Sequence, residues 1–205
     1  LAECISGLKK PVSGTISVND TLIKDVVADP KFIGFIPEDR QKTGLVMDFS
    51  VAENLIIKEY DKEPYAEKRL LNLQNIKKHA QDMIKKYGIK TPTDTVKVST
   101  LSGGNQQKVI IARELDSEPI LDIACHPTRG LDMGAVSGVH DVLMKERERG
   151  AAVLFVSAEL QEILALSDRI IVLFRGEIMG EVDGDTADAF TIGQLMLGQA
   201  LEEKT

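Results

Sequence analysis

The feature that most constrains the fold is a regular alternation of helical and extended patterns from residue 102 onward. Some extended runs, such as Ala152-Val-Leu-Phe-Val156, are apolar on both faces, which is typical of parallel strands covered by helices on both sides. The chain is therefore predicted to have an α/β fold around a parallel sheet. The predicted elements are helices at 104–115, 134–149 and 159–165, and strands at 119–124, 152–157, 169–174 and 177–182.

The first fifty residues carry shorter patterns. Residues 2–8 have the spacing of the end of an amphipathic helix, and Thr15 to Val18 alternates like a short strand. Phe32 to Ile36 is predicted to be a second short strand, which ends at Pro37.

Residues 51–100 interrupt the alternation and are predicted to be helical. Ser50 precedes Val51, and Glu53 stands at the third helical position, which is the pattern of a capping box. Apolar residues at helical spacing then predict a helix from 75 to 87, ended by Gly88.

Charge and composition exclude several classes of protein. The net charge of −7 argues against a nucleic-acid binder, because phosphate contacts need clustered Lys and Arg side chains. No run of about 18 apolar residues suggests a membrane-spanning helix. The two cysteines, Cys4 and Cys125, give neither a disulfide framework nor zinc-site spacing.

The segment from Leu101 to Gln107 is the strongest candidate for chemistry. A serine, Ser102, and two glycines, Gly103 and Gly104, stand where a helix begins. Backbone N–H groups at a helix start carry partial positive charge and can bind a phosphate oxygen. Taken alone, the segment fits an ordinary serine N-cap equally well.

In their order along the chain, four stretches together resemble the nucleotide-binding subunit of ATP-binding-cassette (ABC) transporters. They are GFIPEDR, LSGGNQQKVIIARE, PTRGLD and LSDRI. The set is most similar to the second cassette of tandem importers for simple sugars and nucleosides. The resemblance implies a P-loop NTPase-like core with a parallel sheet and a helical subdomain. It also implies that the N-terminal strands and the Walker A loop, which this sequence lacks, lie upstream of residue 1.

The same resemblance supplies candidate site residues. In this family each ATP lies between Walker A of one cassette and the signature motif of its partner, with Mg²⁺ in the intact assembly. The residues that it assigns to cofactor binding are Ser102, Gly103, Gly104, Gln106, Glu38 and Asp132.

Four positions depart from the family pattern. The first is Glu38, which stands where the resemblance implies the glutamine of the Q-loop. Counting back from Asp132 places Cys125 at the magnesium-binding aspartate and His126 at the catalytic glutamate, and Ala158 stands at the switch histidine. Cys125 is expected to be a small buried residue, and two adjacent residues make a poor metal site. No catalytic residue and no metal ligand is therefore expected, and this chain alone is expected to be inactive and to hold no nucleotide tightly.

The function implied is that of an importer ATPase half that supplies the signature motif to its partner. Its implied partners are a first cassette of the same polypeptide, membrane permease subunits and, indirectly, an extracytoplasmic substrate-binding protein, on the cytoplasmic face of the membrane. A soluble cassette outside transport and a regulatory scaffold remain as alternatives. The predicted divisions are a partial core at 1–50, the helical subdomain at 51–100, the remaining α/β core at 101–186 and a C-terminal helix and tail at 187–205.

Overall fold

The computed structural model describes residues 1–23, 29, 31–68 and 70–199. The chain divides into two compact units, Leu1–Leu154 and Phe155–Thr205. Residues 200–205 of the predicted C-terminal tail lie outside the described residues.

The first unit contains most of the helices and a central sheet. Its elements are α1 (Ala2–Ile5), β1 (Ser17–Val18), β2 (Thr21–Leu22), β3 (Ile33–Ile36), a π-helical turn (Arg40–Gly44), α2 (Val51–Ile56), β4 (Ala66–Glu67), β5 (Leu70–Leu71), α3 (Leu73–Lys86), a 3₁₀ turn (Val98–Thr100), α4 (Gly103–Leu115), β6 (Leu121–Cys125) and α5 (Met133–Arg149). The strand β7 (Ala152–Val156) begins in this unit.

The central sheet has the strand order β3-β6-β7. Strands β3 and β6 are parallel, with Ile33 opposite Leu121 and Ile36 opposite Ala124. The prediction of a parallel α/β sheet is therefore confirmed. The predicted strand boundaries are correct to within two residues, and those of helix 134–149 to within one.

Helix α4 packs against β3 and supplies a large part of the core. Five of its apolar residues are buried: Val109, Ile110, Ile111, Ala112 and Leu115. The π-helical turn approaches this helix so closely that a Cβ at Gly44 would lie 2.6 Å from Ile110 Cδ1. Glycine at position 44 thus allows the turn to rest directly on α4.

A buried carboxylate, Glu114, joins α4 to its neighbours. Its side chain is 1% exposed and accepts a hydrogen bond from the Phe35 backbone N–H of β3 at 3.0 Å. It also accepts from Arg113 Nε at 2.8 Å and pairs with Lys58, which follows α2. Three donors around one buried carboxylate offset its loss of hydration.

The helical arm starts as its sequence predicts. The Ser50 hydroxyl accepts from the Glu53 N–H, and the Glu53 carboxylate accepts from the Ser50 N–H, so the capping box is present. The hydroxyl and the N–H of Ser50 lower the pKa of Glu53. The arm is not wholly helical, because β4 and β5 form a short antiparallel hairpin before α3.

The second unit is built around an antiparallel hairpin. Its elements are α6 (Leu160–Leu166), β8 (Arg169–Phe174), β9 (Glu177–Asp183) and α7 (Ala189–Met196). Helix α7 packs on β8, and a small core forms from Ile170, Val172, Ile192 and Leu195. In the part of the chain that the structure describes, no helix has both the length and the apolar character needed to cross a bilayer.

One buried acid in the sheet lacks a partner. Asp122 on β6 is fully buried, and both of its carboxylate oxygens lack a hydrogen-bond partner among the described residues. It stands opposite Gly34, where a Cβ would come within 2.7 Å of Asp122 Oδ1. Burial raises the pKa of Asp122 to about 7, the Glu146 carboxylate adds to the rise and Arg149 opposes it.

We expect Asp122→Asn to stabilise the protein at pH 8. The folded state holds the Asp122 proton up to pH of about 7, whereas the unfolded chain releases it near the ordinary value of 3.8. The free energy of unfolding should therefore fall as pH rises from about 4 to 7, by up to roughly 4 kcal/mol. Thermal unfolding between pH 4 and 8 should show that the variant has a higher Tm than the wild type at pH 8. The Tm of the variant should also depend less on pH than that of the wild type.

Asp141→Asn is the matched control, since Asp141 is an exposed acid on α5. The control should leave the pH dependence as it is in the wild type. An Asp122→Asn variant with an unchanged pH profile would show that this carboxyl does not stay protonated on folding.

Candidate functional site

The start of α4 presents the groups that a phosphate needs. Ser102 is the N-cap residue, with φ −62° and ψ 156°, and it is exposed. Its hydroxyl does not cap the helix; instead it accepts a hydrogen bond from Asn105 Nδ2 at 2.9 Å. The N–H groups of the first helical turn have no intrahelical acceptor, so those of Gly103 and Gly104 can bind an anion.

Gln106 holds this helix start in place. Its side chain is buried and donates to the carbonyl oxygens of Val98 at 3.2 Å and Leu101 at 3.1 Å. Its Oε1 accepts from Gln41 Nε2 at 3.2 Å. Because both ends of the amide are occupied, its side chain orients the approach to α4 rather than facing a ligand.

The start of α5 lies against the start of α4. Asp132 is the N-cap of α5, and its Oδ1 accepts from the Ala135 N–H at 2.9 Å. A Cβ at Gly104 would lie 3.1 Å from the Ala135 Cβ, which leaves little room for any side chain at position 104. Behind this contact, a cavity of about 130 Å³ separates α4 from α5.

The segment 38–41 runs beside both helix starts. The Glu38 carboxylate is partly exposed and pairs with the Arg129 guanidinium. Asp39 caps the π-helical turn by accepting from the N–H groups of Gln41 and Lys42. Arg40 Nη1 donates to the Arg129 carbonyl oxygen at 2.8 Å.

The end of β6 holds Cys125 and His126. Cys125 is expected to be buried but is half-buried, because it is the last residue of the strand. Burial raises the pKa of its thiol, and the Glu38 carboxylate adds to the rise. His126 has φ +46°, a left-handed conformation that is uncommon for a residue with a side chain, and its carbonyl accepts from the Arg129 N–H at 3.1 Å.

These two residues do not suit the magnesium ion that the resemblance implies. Mg²⁺ prefers oxygen ligands, whereas Cys125 and His126 offer sulfur and nitrogen. Across the described ranges, no three His, Cys, Asp or Glu side chains are arranged to hold a metal ion. The helix start at Gly103 and Gly104, by contrast, offers backbone N–H groups, which suit an anion.

Ala158, the residue at the predicted switch-histidine position, belongs to the second unit. Ala158 is exposed, and its methyl group can neither donate nor accept a proton. The preceding Ser157 hydroxyl donates to Glu162 Oε2 at 2.9 Å and accepts from the Glu159 N–H at 3.0 Å.

The structure thus brings most of the candidate residues together within the first unit. Glu38 connects to the segment that ends at Asp132, and Gln106 connects to the helix start at Ser102. Sequence reasoning missed Arg40, whose contacts are with residues 63 and 89 positions away. Its only sequence signal was its place in the GFIPEDR stretch.

Comparison with known proteins places the chain among nucleotide-binding cassettes. A sequence model of the ABC transporter family matches residues 1–129. The guanosine import ATP-binding protein NupO of Bacillus subtilis is 43% identical over 99% of this chain and 40% of its own length. The nucleoside import ATP-binding protein NupA of Lactococcus lactis is 40% identical over 99% of this chain and 41% of its own length.

Sugar importers and solved cassettes show the same relationship. The ribose import ATP-binding protein RbsA of Clostridium perfringens is 38% identical over 97% of this chain and 40% of its own length. The chain spans about two fifths of the length of these relatives. A dimeric structure of the ATP-binding cassette MJ0796 with ADP and Pi has a TM-score of 0.74 and 25% identity, and covers 89% of this chain and 78% of MJ0796. The family match and the shared fold show that this chain belongs to the ABC transporter family of ATP-binding proteins.

Proposed function

We propose that this chain is the second cassette of a tandem importer ATPase, and that it completes the ATP site of the first. The observation that carries the proposal is a contrast within the first unit. At the start of α4, Ser102 is exposed and is followed by two half-buried glycines, Gly103 and Gly104, whereas the end of β6 offers Cys125 and His126 in place of two carboxylates.

The chain's own groups would bind and orient the nucleotide of the partner cassette. ATP supplies the phosphoryl group, and the Gly103 and Gly104 N–H groups donate to its terminal phosphate at the positive end of α4. The Ser102 hydroxyl accepts from Asn105 Nδ2 and would still have its own proton to donate to the same phosphate. Gln106 and Asp132 act by holding the two helix starts, and Glu38 by its pairing with Arg129.

The chain's own nucleotide site is proposed to be degenerate. Neither a Cys125 thiol with a raised pKa nor the exposed Ala158 methyl can activate water or carry a proton for hydrolysis. Losing a positioned base typically lowers the rate by about 10²–10⁴. Hydrolysis in the pair is therefore assigned to the site that this chain completes in its partner.

The proposed cargo is a nucleoside or a simple sugar. The relatives named above import guanosine, nucleosides or ribose, and they support this substrate class. The proposed partners are a first cassette of the same polypeptide, membrane permease subunits and, indirectly, an extracytoplasmic binding protein. The proposed place of action is the cytoplasmic face of the membrane. We further propose that the chain is divided into a partial core at 1–50, a helical subdomain at 51–100, the remaining α/β core at 101–186 and a C-terminal helix and tail at 187–205.

Uptake by cells that carry the intact transporter would test the cargo. Labelled guanosine and labelled ribose, each competed by an excess of the other, distinguish the two classes. Uptake of neither compound would refute this assignment of the cargo without bearing on the ATP site.

We expect Ser102→Arg to abolish most ATPase activity of the full-length protein in its transporter. The arginine side chain would occupy the space in front of the Gly103 and Gly104 N–H groups, and loss of one preorganised donor alone typically lowers kcat by about 10²-fold. His126→Ala should leave turnover unchanged, because His126 belongs to the site that is already inactive. Steady-state phosphate release from both variants measures the contrast.

Gly104→Asp is a second variant at the helix start. It adds a negative charge beside the phosphate, and its Cβ would crowd Ala135. It should therefore lose activity as Ser102→Arg does. If His126→Ala proved to be the damaging change and the two helix-start variants were active, the hydrolytic site would lie in this chain and the proposal would be wrong.

We expect this chain on its own to release no phosphate from Mg²⁺-ATP, because no Walker A loop cradles the phosphates in its sequence. A malachite-green or coupled assay on the purified chain measures this. Magnesium-dependent turnover that is lost in His126→Ala would contradict the expectation, whereas turnover unaffected by that change would indicate a contaminant.

A further inference from the structure

Arg40 lies where three segments of the candidate site meet. It belongs to the π-helical turn, and its Nη1 donates to the Arg129 carbonyl oxygen at 2.8 Å. A Cβ built at Gly103 would lie 3.0 Å from Arg40 Nη2, and one at Gly130 would lie 3.5 Å from the same nitrogen. One guanidinium therefore donates to the loop that leads to α5 and lies close beside the start of α4.

The residues on either side of Arg40 reinforce this link. Glu38 pairs with the Arg129 side chain, and Gln41 Nε2 donates to Gln106 Oε1 at 3.2 Å. Asp39 fixes the turn itself by accepting from two of its N–H groups. The segment 38–41 is thus connected to the loop on one side and to α4 on the other.

This position is an unfavourable one for a cation in the isolated chain. The start of a helix carries partial positive charge, which repels a guanidinium placed beside it. In addition, Arg40 Nε is buried and has no hydrogen-bond partner among the described residues. Since an unpaired buried donor lowers stability, packing alone does not explain an arginine at position 40.

We propose that Arg40 is a positioning residue for ATP hydrolysis in the partner site. It holds the helix start at Gly103 and the loop Arg129 to Asp132 at a fixed separation, so that both face the partner cassette as one surface. An arginine suits this task because its planar fork reaches two segments at once, which a lysine ammonium does not. The inference rests on the function proposed above.

The first test compares Arg40→Ala and Arg40→Lys in the full-length protein within its transporter. A displacement of about 1 Å in a catalytic arrangement can lower the rate by up to 10²-fold. We expect Arg40→Ala to lower kcat at least about tenfold and to change the KM for ATP much less, because the nucleotide first binds to the partner cassette. Arg40→Lys should resemble Arg40→Ala; full rescue by lysine would show that charge alone matters and would overturn the proposal.

Lys42→Ala is the matched control. Lys42 lies in the same turn, but its side chain is 86% exposed and its ion pair with Asp39 is long, at 3.8 Å. Its removal takes away a cation without touching either segment, so kcat should not change. A loss equal to that of Arg40→Ala would mean that any disturbance of the turn impairs the site, which would also overturn the proposal.

A double-mutant cycle tests the contact itself. Gly103→Ala forces its Cβ against Arg40 Nη2, so it should lower kcat more in the wild type than in the Arg40→Ala background. Gly138→Ala, where a Cβ would meet nothing within 4 Å, should show no such coupling with Arg40. Strictly additive effects of Gly103→Ala and Arg40→Ala would contradict the contact.

Hydrogen exchange helps to distinguish a failure of the inference about Arg40 from a failure of the proposed function. In the full-length protein, Arg40→Ala should speed exchange at the Arg129 and Leu131 amides, whose turn hydrogen bonds depend on the braced loop, and Lys42→Ala should not. If Ser102→Arg left ATPase activity intact, the proposed function would fail whatever Arg40 does. If Ser102→Arg were inactive but Arg40→Ala kept wild-type kcat and exchange, the role of Arg40 alone would be refuted.

Discussion

The fold depends on one buried carboxylate near the end of the signature helix. Glu114 accepts from the Phe35 N–H of β3 and from Arg113, and it pairs with Lys58 beyond α2. Sheet, helix and helical arm are therefore joined at a single group. Removing one partner of such a buried charge is strongly destabilising, by about 3–5 kcal/mol. With the C-terminal part of α4 fixed in this way, its N-terminus can be left exposed without losing its position.

The two ends of the site have unequal chemistry. The α4 end has small residues and helix-start N–H groups of the kind that suit an anion, and the buried Gln106 amide donates to the backbone beside it. The β6 end keeps the backbone turn through His126, although the side chains there are unsuited to magnesium. A cassette that only completes its partner's site needs the first arrangement intact, and from the second it needs only the shape of the backbone.

Local patterns predicted the elements well, and long-range contacts account for what they missed. The capping box at Ser50 and the strand 169–174 follow from neighbouring residues, and both are present as predicted. The buried role of Gln106 and the bridge made by Arg40 depend on partners 65 and 89 positions away, which periodicity cannot reveal. The facing of Asp122 and Gly34 likewise arises only once β3 and β6 pair in one register.

The close approach of Gly104 to Ala135 limits which residues related sequences can have at these two positions. A Cβ at position 104 would lie only 3.1 Å from the Ala135 Cβ, so the volumes of these residues are coupled although they are 31 positions apart. A lineage that enlarged residue 104 would have to shrink residue 135 or separate the two helices. The sizes of the residues at positions 104 and 135 should therefore covary among related sequences, so that substitutions at the start of α4 are correlated with substitutions at the start of α5.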